Sequence, residues 1–255
     1  MMIVLYGLVI GIFTSLLGGG GAALYLGVLT TKLGLPINIA VPTSLLIAIP
    51  PLFFGFLIQK KNKNVQIELG NRMIIAAIPG IIIGTIFSKY ISIAVYNLVV
   101  GVLILIMGLI ILIKFLKDLR STENRHISLE NLNHKSFFVI LLSGLLSGIM
   151  VGTGGMSGGA TVVAGLTVVG TPALEATGTS TYILCIMSII GLLAHLFTST
   201  INWHVGVALI IGAIIGNLIT PITLKKLNFE KVNYVLTPIL AVTIIYFGIS
   251  MIISK

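Results

Sequence analysis

Charged side chains are scarce in this chain of 255 residues. Only 8% are Asp, Glu, Lys or Arg, against about 25% in a typical soluble domain. Hydrophobic residues make up 57%, and the mean hydropathy is +1.17. So few charges cannot cover a surface that faces water, which excludes an ordinary soluble domain. We therefore predict an all-α polytopic membrane protein, with the lipid bilayer around most of the chain.

Cysteine and clustered metal ligands are also lacking. Cys185 is the single cysteine, so no disulfide can form within the chain. No His, Cys, Asp or Glu residues recur at the spacing of metal ligands, and no glycine-rich loop carries the lysine that a phosphate-binding loop needs. The sequence therefore predicts no metal, no cofactor and no use of ATP.

The net charge of +9 does not indicate nucleic acid as a partner. The basic residues fall in short gaps between apolar runs, and aromatic residues are not interleaved with them. Basic residues beside membrane segments determine which way the segments cross. We therefore interpret them as topology determinants, and we expect no nucleic-acid binding.

Six apolar runs approach or exceed the roughly 20 residues that a membrane helix needs. They cover residues 39–58, 69–87, 91–113, 177–197, 205–224 and 232–253. Two further segments, 2–30 and 137–169, are interrupted by the glycine stretches "GGGG" (18–21) and "GTGGMSGG" (152–159). The second arm of each is about half as long as a membrane helix. Each segment is therefore predicted to be either a broken helix or a re-entrant hairpin.

The chain also repeats itself. Thr43-Ser44 follow Pro36 by seven and eight residues, and Thr179-Ser180 follow Pro172 in the same way, at an offset of 136. With a shift of two residues, glycines 18–21 align with residues 152–155. Each half then consists of one glycine-broken helix pair and three transmembrane helices. The predicted first repeat covers residues 1–116 and the second covers 136–255, joined by a basic cytoplasmic linker at 117–135.

The distribution of basic residues favours an inverted relation between the repeats. If each glycine-broken segment enters and leaves on one face, only Lys32, Lys89 and Lys255 of the 15 basic residues lie outside. If every segment crosses, the division is ten to five. The first arrangement agrees better with the rule that basic residues remain inside. Three true spans in each half is an odd number, so the two repeats are predicted to be inverted.

The glycine stretches are the first candidates for a substrate site. A run of glycines unwinds a helix and leaves backbone N–H groups without partners, which is tolerated in a membrane protein where the break lines a cavity. Helix N-termini in such a cavity attract anions. Close helix packing is the ordinary explanation for glycines at helical spacing, and we prefer it for Gly80, Gly84, Gly212 and Gly216.

The two repeated hydroxyl pairs are the second candidates. They either bond an anion in one central cavity or, alternatively, cap or back-bond to their own helices. The predicted substrate-binding residues are Gly19, Gly20, Gly21, Thr43, Ser44, Gly154, Gly155, Thr179 and Ser180.

Two ionisable residues are candidates for coupling transport to protons. Glu175 and His195 lie within or beside predicted spans, where ionisable groups are usually functional. The alternatives are a solvated carboxylate at the interface and a histidine that is interfacial or hydrogen-bonded. "GMSGG" around Ser157 also matches the G-x-S-x-G pattern of serine hydrolases, but the predicted repeat partner has no serine and no strand precedes the motif. We therefore predict no catalytic residue, with an intramembrane hydrolase as a minor alternative.

The order and duplication of these motifs resembles the TauE/SafE family of prokaryotic membrane proteins, also called the sulfite exporter or TSUP family. The resemblance covers nearly the whole chain and rests on "LGGGGA", "GLPINIAVPTS", "KNVQ", "GTGG", "GTPALEATGTS" and "INW". Pro42 departs from it, since the family pattern favours the glycine that stands at Gly178 in the second half. The resemblance implies secondary transport of small anions such as sulfite or sulfonates across the cytoplasmic membrane. An anion channel with the same pocket is the alternative.

Overall fold

Helices form all the regular structure in the part of the chain that the computed structural model describes. The described residues are 2–17, 21–87, 134–155, 158–196 and 200–224, with isolated helical positions between 98 and 116 and between 235 and 253. The described helices are α1 (Met2–Leu17), α2 (Ala22–Thr31), α3 (Ile37–Lys61), α4 (Ile67–Phe87), α5 (His134–Gly154), α6 (Gly159–Val169), α7 (Ala173–Leu196) and α8 (Trp203–Leu224).

Four of these helices, α3, α4, α5 and α7, are long and apolar enough to cross a membrane. Three of them confirm the spans predicted to begin at residues 39, 69 and 177, and α8 is the helix predicted at 205–224. The predicted spans 91–113 and 232–253 and the linker 117–135 lie outside the described residues, apart from the isolated positions. The sequence underestimated α5, which continues through Gly152 to Gly154 and reaches 21 residues.

Large apolar side chains lie on the outside of the helices. Ile75, Ile82 and Ile86 of α4 are among the most exposed. Several hydroxyl side chains are completely buried, among them Ser143, Ser147 and Thr161. This distribution is the one expected of helices whose outer face meets hydrocarbon, because polar groups then have to find partners inside.

Glycines bring two pairs of helices into backbone contact. On α5, a side chain at Gly148 or Gly152 would overlap the carbonyl oxygens of Ala77 and Ile81 on α4. On α8, a side chain at Gly212 or Gly216 would overlap carbonyl oxygens of α1. Gly80 and Gly84 face α5 in the same way. The prediction that the glycines at 80, 84, 212 and 216 serve close packing is therefore confirmed.

The contacts also give the directions of the helices. Along α5, glycines with higher residue numbers contact residues with higher numbers on α4, and the same holds for α1 and α8. Each of these two helix pairs is therefore parallel. Helices α3 and α7 are antiparallel, since the turn after each one contacts the first turns of the other. The Thr43 end of the bundle is where α1, α3 and α8 begin. The Thr179 end is where α4, α5 and α7 begin.

Helix α6 folds back along α5. Gly158 lies against Ser147 and Gly165 lies against Ser143, so α6 runs antiparallel to α5. The α5–α6 pair therefore begins and ends at the Thr179 end. The α1–α2 pair begins and ends at the Thr43 end, because α1 and α3 both start there. This geometry is that of a helical hairpin, one of the two alternatives that the sequence left open.

Replacing Gly148 with alanine should destabilise the bundle. The new methyl group would overlap the Ala77 carbonyl at the α4–α5 contact, and overpacking of this kind costs about 1–3 kcal/mol. Gly27→Ala is the matched control, because nothing lies within 4 Å of its added carbon and alanine favours a helix. Thermal unfolding in detergent should show a lower midpoint for Gly148→Ala alone. Equal midpoints for the two variants would contradict the contact.

Candidate functional site

Two helices begin inside the bundle without a side chain to cap them. Gly21 precedes α2 and Gly158 precedes α6, both in the left-handed conformation (φ 70° and 52°), and neither glycine makes a side-chain cap hydrogen bond to the helix that follows it. Ala22 and Gly159 are buried. The first N–H groups of a helix have no intrahelical partner, and together with the helix dipole they favour an anion. By contrast, Asn202 Oδ1 accepts the Val205 N–H at the start of α8.

The helix break in the second glycine stretch lies later in the sequence than predicted. Gly154 is the last residue of α5, and Gly155 follows it with φ 61°. The free helix N-terminus begins after Gly158, in the "MSGG" part that lay beyond the predicted residues. Gly19 and Gly20 lie outside the described residues, whereas the predicted Gly21 is the residue before α2.

Hydroxyl and thioether groups surround the N-terminus of α6. The Ser147 hydroxyl donates to the Gly158 carbonyl at 3.1 Å, and the Thr161 hydroxyl lies 3.1 Å from the sulfur of Met150. The sulfur of Met187 lies 3.8 Å from the same Ser147 oxygen. All four side chains are buried. The start of α6 is thus a neutral, polarisable environment with N–H donors and no charged neighbour among these contacts.

Gly155 lies against the beginning of α3. A side chain there would approach the Val41 side chain to 2.7 Å and the Val41 carbonyl to 3.1 Å, and the Ser44 hydroxyl donates to that same carbonyl at 2.8 Å. His195 is buried in the last turn of α7 and hydrogen-bonds to the backbone of Val151 and Gly152. These two residues lie near the end of α5, at the tip of the hairpin that α5 and α6 form. The structure therefore brings Gly155, Ser44 and His195 to one region near the Thr43 end.

The two threonines of the hydroxyl pairs make reciprocal contacts between the halves of the chain. The Thr43 hydroxyl oxygen accepts the backbone N–H of Asn202 at 3.1 Å, and the Thr179 oxygen accepts that of Gln66 at 3.0 Å. Both threonines are completely buried. Each hydroxyl therefore satisfies a backbone group in a turn of the other half.

The hydroxyl pairs lie inside helices, so the alternative that they act as N-caps is wrong, whereas back-bonding is confirmed. Thr43 donates to Ile39 at 2.6 Å, and Ser180 donates to Thr177 at 2.7 Å. The pairs are also far apart. Thr43 lies about 27 Å along α3 from its C-terminal end, at 1.5 Å per residue, and Thr179 lies beside the turn that follows that end. They do not meet in one central position.

Glu175 occupies the first turn of α7 and is half-buried. Its carboxylate accepts a hydrogen bond from the Gln66 side-chain amide at 2.6 Å. A carboxylate near a helix N-terminus is also stabilised by the helix dipole. The Glu175 carboxylate is therefore fixed by a hydrogen bond at the Thr179 end, and the side chain is neither fully solvated nor fully buried.

Sequence reasoning did not identify Gln66 and Asn202 as site residues, although their alignment at offset 136 was visible. Thr43 and Thr179 share that offset, and residues that repeat together are candidates for mutual contact.

Ser157 lies outside the described residues. Within the described ranges, no three His, Cys, Asp or Glu side chains come together in a way that would hold a metal ion.

These features define a multi-pass helical membrane protein whose described interior polar groups include helix N-termini, hydroxyls, amides and the imidazole of His195. The chain belongs to the Sulfite exporter TauE/SafE family, whose model matches residues 3–251, as the motifs indicated. Membership implies a membrane transporter of sulfur-containing anions and not an enzyme. No curated protein and no solved structure matches the chain.

Thr43→Val and Thr179→Val should each destabilise the protein. Valine has nearly the shape of threonine but cannot accept the N–H of Asn202 or Gln66, and an orphaned buried donor costs about 1–3 kcal/mol. Thr→Ser variants at the same positions are the controls, because they keep the oxygen. Thermal unfolding should place the serine variants closer to the wild type. Valine variants as stable as the serine variants would rule out these bonds as stabilising contacts.

Proposed function

We propose that this chain is a secondary transporter. It carries sulfite or a similar small sulfur-containing anion across a prokaryotic cytoplasmic membrane by alternating access. The observation that carries the proposal is the pair of uncapped, buried helix N-termini after Gly21 and Gly158. A site built from neutral donors binds an anion without burying an opposite charge, and it releases the anion readily. Family membership supports the substrate class.

The proposed architecture is a pair of inverted repeats. Equivalent contacts support it: Gly7 and Gly11 of α1 face Leu209 and Ala213, while Gly144 and Gly148 of α5 face Met73 and Ala77. The glycine numbers differ by 137 and those of their partners by 136. Gly21 and Gly158, which precede α2 and α6, also differ by 137. We therefore prefer this register to the offset of 134 that the glycine run had suggested.

In this proposal each hairpin tip works with the hydroxyl pair nearest to it. Gly154 and Gly155 belong with Thr43 and Ser44, since Gly155 contacts Val41 in the same turn of α3. By the repeat relation, the first tip belongs with Thr179 and Ser180. The tip glycines 19–21 then supply the donors of the first half. The anion passes between the two regions as the halves move relative to one another.

Proton coupling is the proposed energy source, with Glu175 and His195 as the candidates. Glu175 lies at the Thr179 end, bonded to Gln66, and His195 lies near the Thr43 end, bonded to the tip of α5. The two titratable groups are therefore at opposite ends of the bundle. This position suits groups that exchange protons with opposite sides of the membrane.

Purified protein in liposomes should take up radiolabelled sulfite with saturation, and internal unlabelled sulfite should accelerate that uptake. Acceleration by substrate on the far side requires a carrier whose site is exposed to one side at a time. Flux that rises linearly with concentration, without acceleration, would instead identify an anion channel. Protein-free liposomes provide the background rate.

Ala160→Pro should weaken sulfite binding about tenfold, because it deletes one N–H donor in the first turn of α6, where proline is tolerated. Ala160→Val is the matched control, since valine keeps the N–H and has a similar volume. Binding can be measured as the sulfite-dependent shift of the thermal midpoint. The assignment of the anion to this N-terminus fails if proline and valine give the same shift.

Glu175→Gln should abolish accumulation driven by a pH gradient and leave sulfite counterflow intact. Glutamine still accepts a hydrogen bond from Gln66, but its amide does not take up or release a proton as a carboxylate does. His195→Gln is the parallel variant. Loss of gradient-driven accumulation in His195→Gln alone would transfer the coupling role to His195, and retention in both variants would reject proton coupling through either residue.

A further inference from the structure

The two ends of the α3–α7 pair are closed by equivalent threonine contacts, but at the described positions related by the offset of 136, the Thr179 end has side-chain hydrogen bonds that the Thr43 end does not repeat. At the Thr179 end, the Gln66 backbone donates to Thr179 while its side chain donates to Glu175 at 2.6 Å. The residues at the same positions in the other half are Asn202, Thr43 and Ile39. Asn202 uses its side-chain oxygen on its own helix, and Ile39 has no polar side chain.

A second pair of residues repeats this asymmetry. At the Thr179 end, the Tyr182 hydroxyl donates to Asn71 Oδ1 of α4 at 2.6 Å. Leu46 and Val207 occupy the equivalent positions at the Thr43 end. The Tyr182 ring also packs on Phe56 of α3, with ring centroids 5.1 Å apart. Two side-chain hydrogen bonds between α7 and the start of α4 thus exist at one end and have no counterpart at these positions of the other.

We propose that Gln66 is the residue that holds the Thr179 end shut, so that the empty transporter opens more readily at the Thr43 end. This inference rests on the proposed alternating access and adds a preferred resting orientation to it. Gln66 acts as a positioning residue: its side chain fixes the Glu175 carboxylate while its backbone N–H fixes Thr179. The bond to a charged acceptor is the strongest of the contacts that distinguish the two ends.

Two matched alanines allow the orientation to be measured. Ala40 and Ala176 are both completely buried, in the first turns of α3 and α7, and they differ by 136 in number. Because Cys185 is the only native cysteine, Cys185→Ser gives a background without thiols. Ala40→Cys and Ala176→Cys in that background then report the opening of the Thr43 end and of the Thr179 end, through their rates of reaction with N-ethylmaleimide in nanodiscs.

We expect Ala40→Cys to react faster than Ala176→Cys. Adding Gln66→Leu should raise the rate at Ala176→Cys and lower the rate at Ala40→Cys, changing their ratio about tenfold, the effect of losing one hydrogen bond to a charged group. Tyr182→Phe should change the ratio in the same direction, since it removes only the hydroxyl. Glu68→Gln is the control, because Glu68 is an exposed carboxylate at the same end that pairs with Arg72 of its own helix.

Several results would overturn the inference. An unchanged ratio in Gln66→Leu would show that the bond does not set the orientation, and increases at both cysteines would show general loosening instead. A change of equal size in Glu68→Gln would show that the ratio responds to any polar change at this end and not to the bond between Gln66 and Glu175 in particular. If a cysteine variant does not fold, hydrogen exchange of residues 37–46 and 173–182 in wild type and Gln66→Leu gives the same comparison.

A separate arm tests the proposed function. Sulfite should change the two cysteine rates in opposite directions if access alternates, whatever Gln66 does. A sulfite response together with no effect of Gln66→Leu would reject only the role of Gln66. No sulfite response in any variant would reject alternating access with this substrate.

Discussion

Direct contact between helix backbones at glycines is the constraint on which the described bundle depends. Both glycine-lined contacts join the first half of the chain to the second: α1 packs on α8, and α4 packs on α5. Lipid tails are as apolar as the helix surfaces, so association in a membrane depends on such close packing and not on hydrophobic burial. These two helix pairs lie beside the α3–α7 pair, whose ends carry the two threonine contacts.

The hairpins combine two requirements that usually conflict. Backbone groups inside a membrane protein need partners, yet an anion site needs N–H groups that are not already used. In the second hairpin, the Gly158 carbonyl accepts the Val162 N–H of α6 and also the Ser147 hydroxyl, while Gly158 has no side chain to cap α6. The proposed anion site depends on this arrangement, in which the carbonyl at the tip already has donors and the N–H groups at the start of α6 receive no cap from Gly158.

Much of this arrangement was predictable from the sequence, and the exceptions have physical causes. The lengths of the apolar runs predicted α3, α4 and α7. The repeat offset of 136 residues identified Thr43 and Thr179 as equivalent positions. The sequence left the register of the glycine stretches ambiguous because consecutive glycines align equally well at several offsets, whereas the conformations of Gly21 and Gly158 and the glycine contacts of α1 and α5 support the proposed offset of 137. The separation of the hydroxyl pairs was also missed, since an offset carries no information about distance.

The pairing of α1 with α8 has a consequence for the synthesis of the protein. The hydrogen bond from Ser15 to Asn217 spans 202 residues of sequence, which a ribosome takes roughly 10 to 40 s to add. During that time the helix that covers Gly7 and Gly11 of α1 does not yet exist. Helix α1 is therefore made long before the helix on which it packs, and the contact between them has a high contact order although the bundle consists of helices.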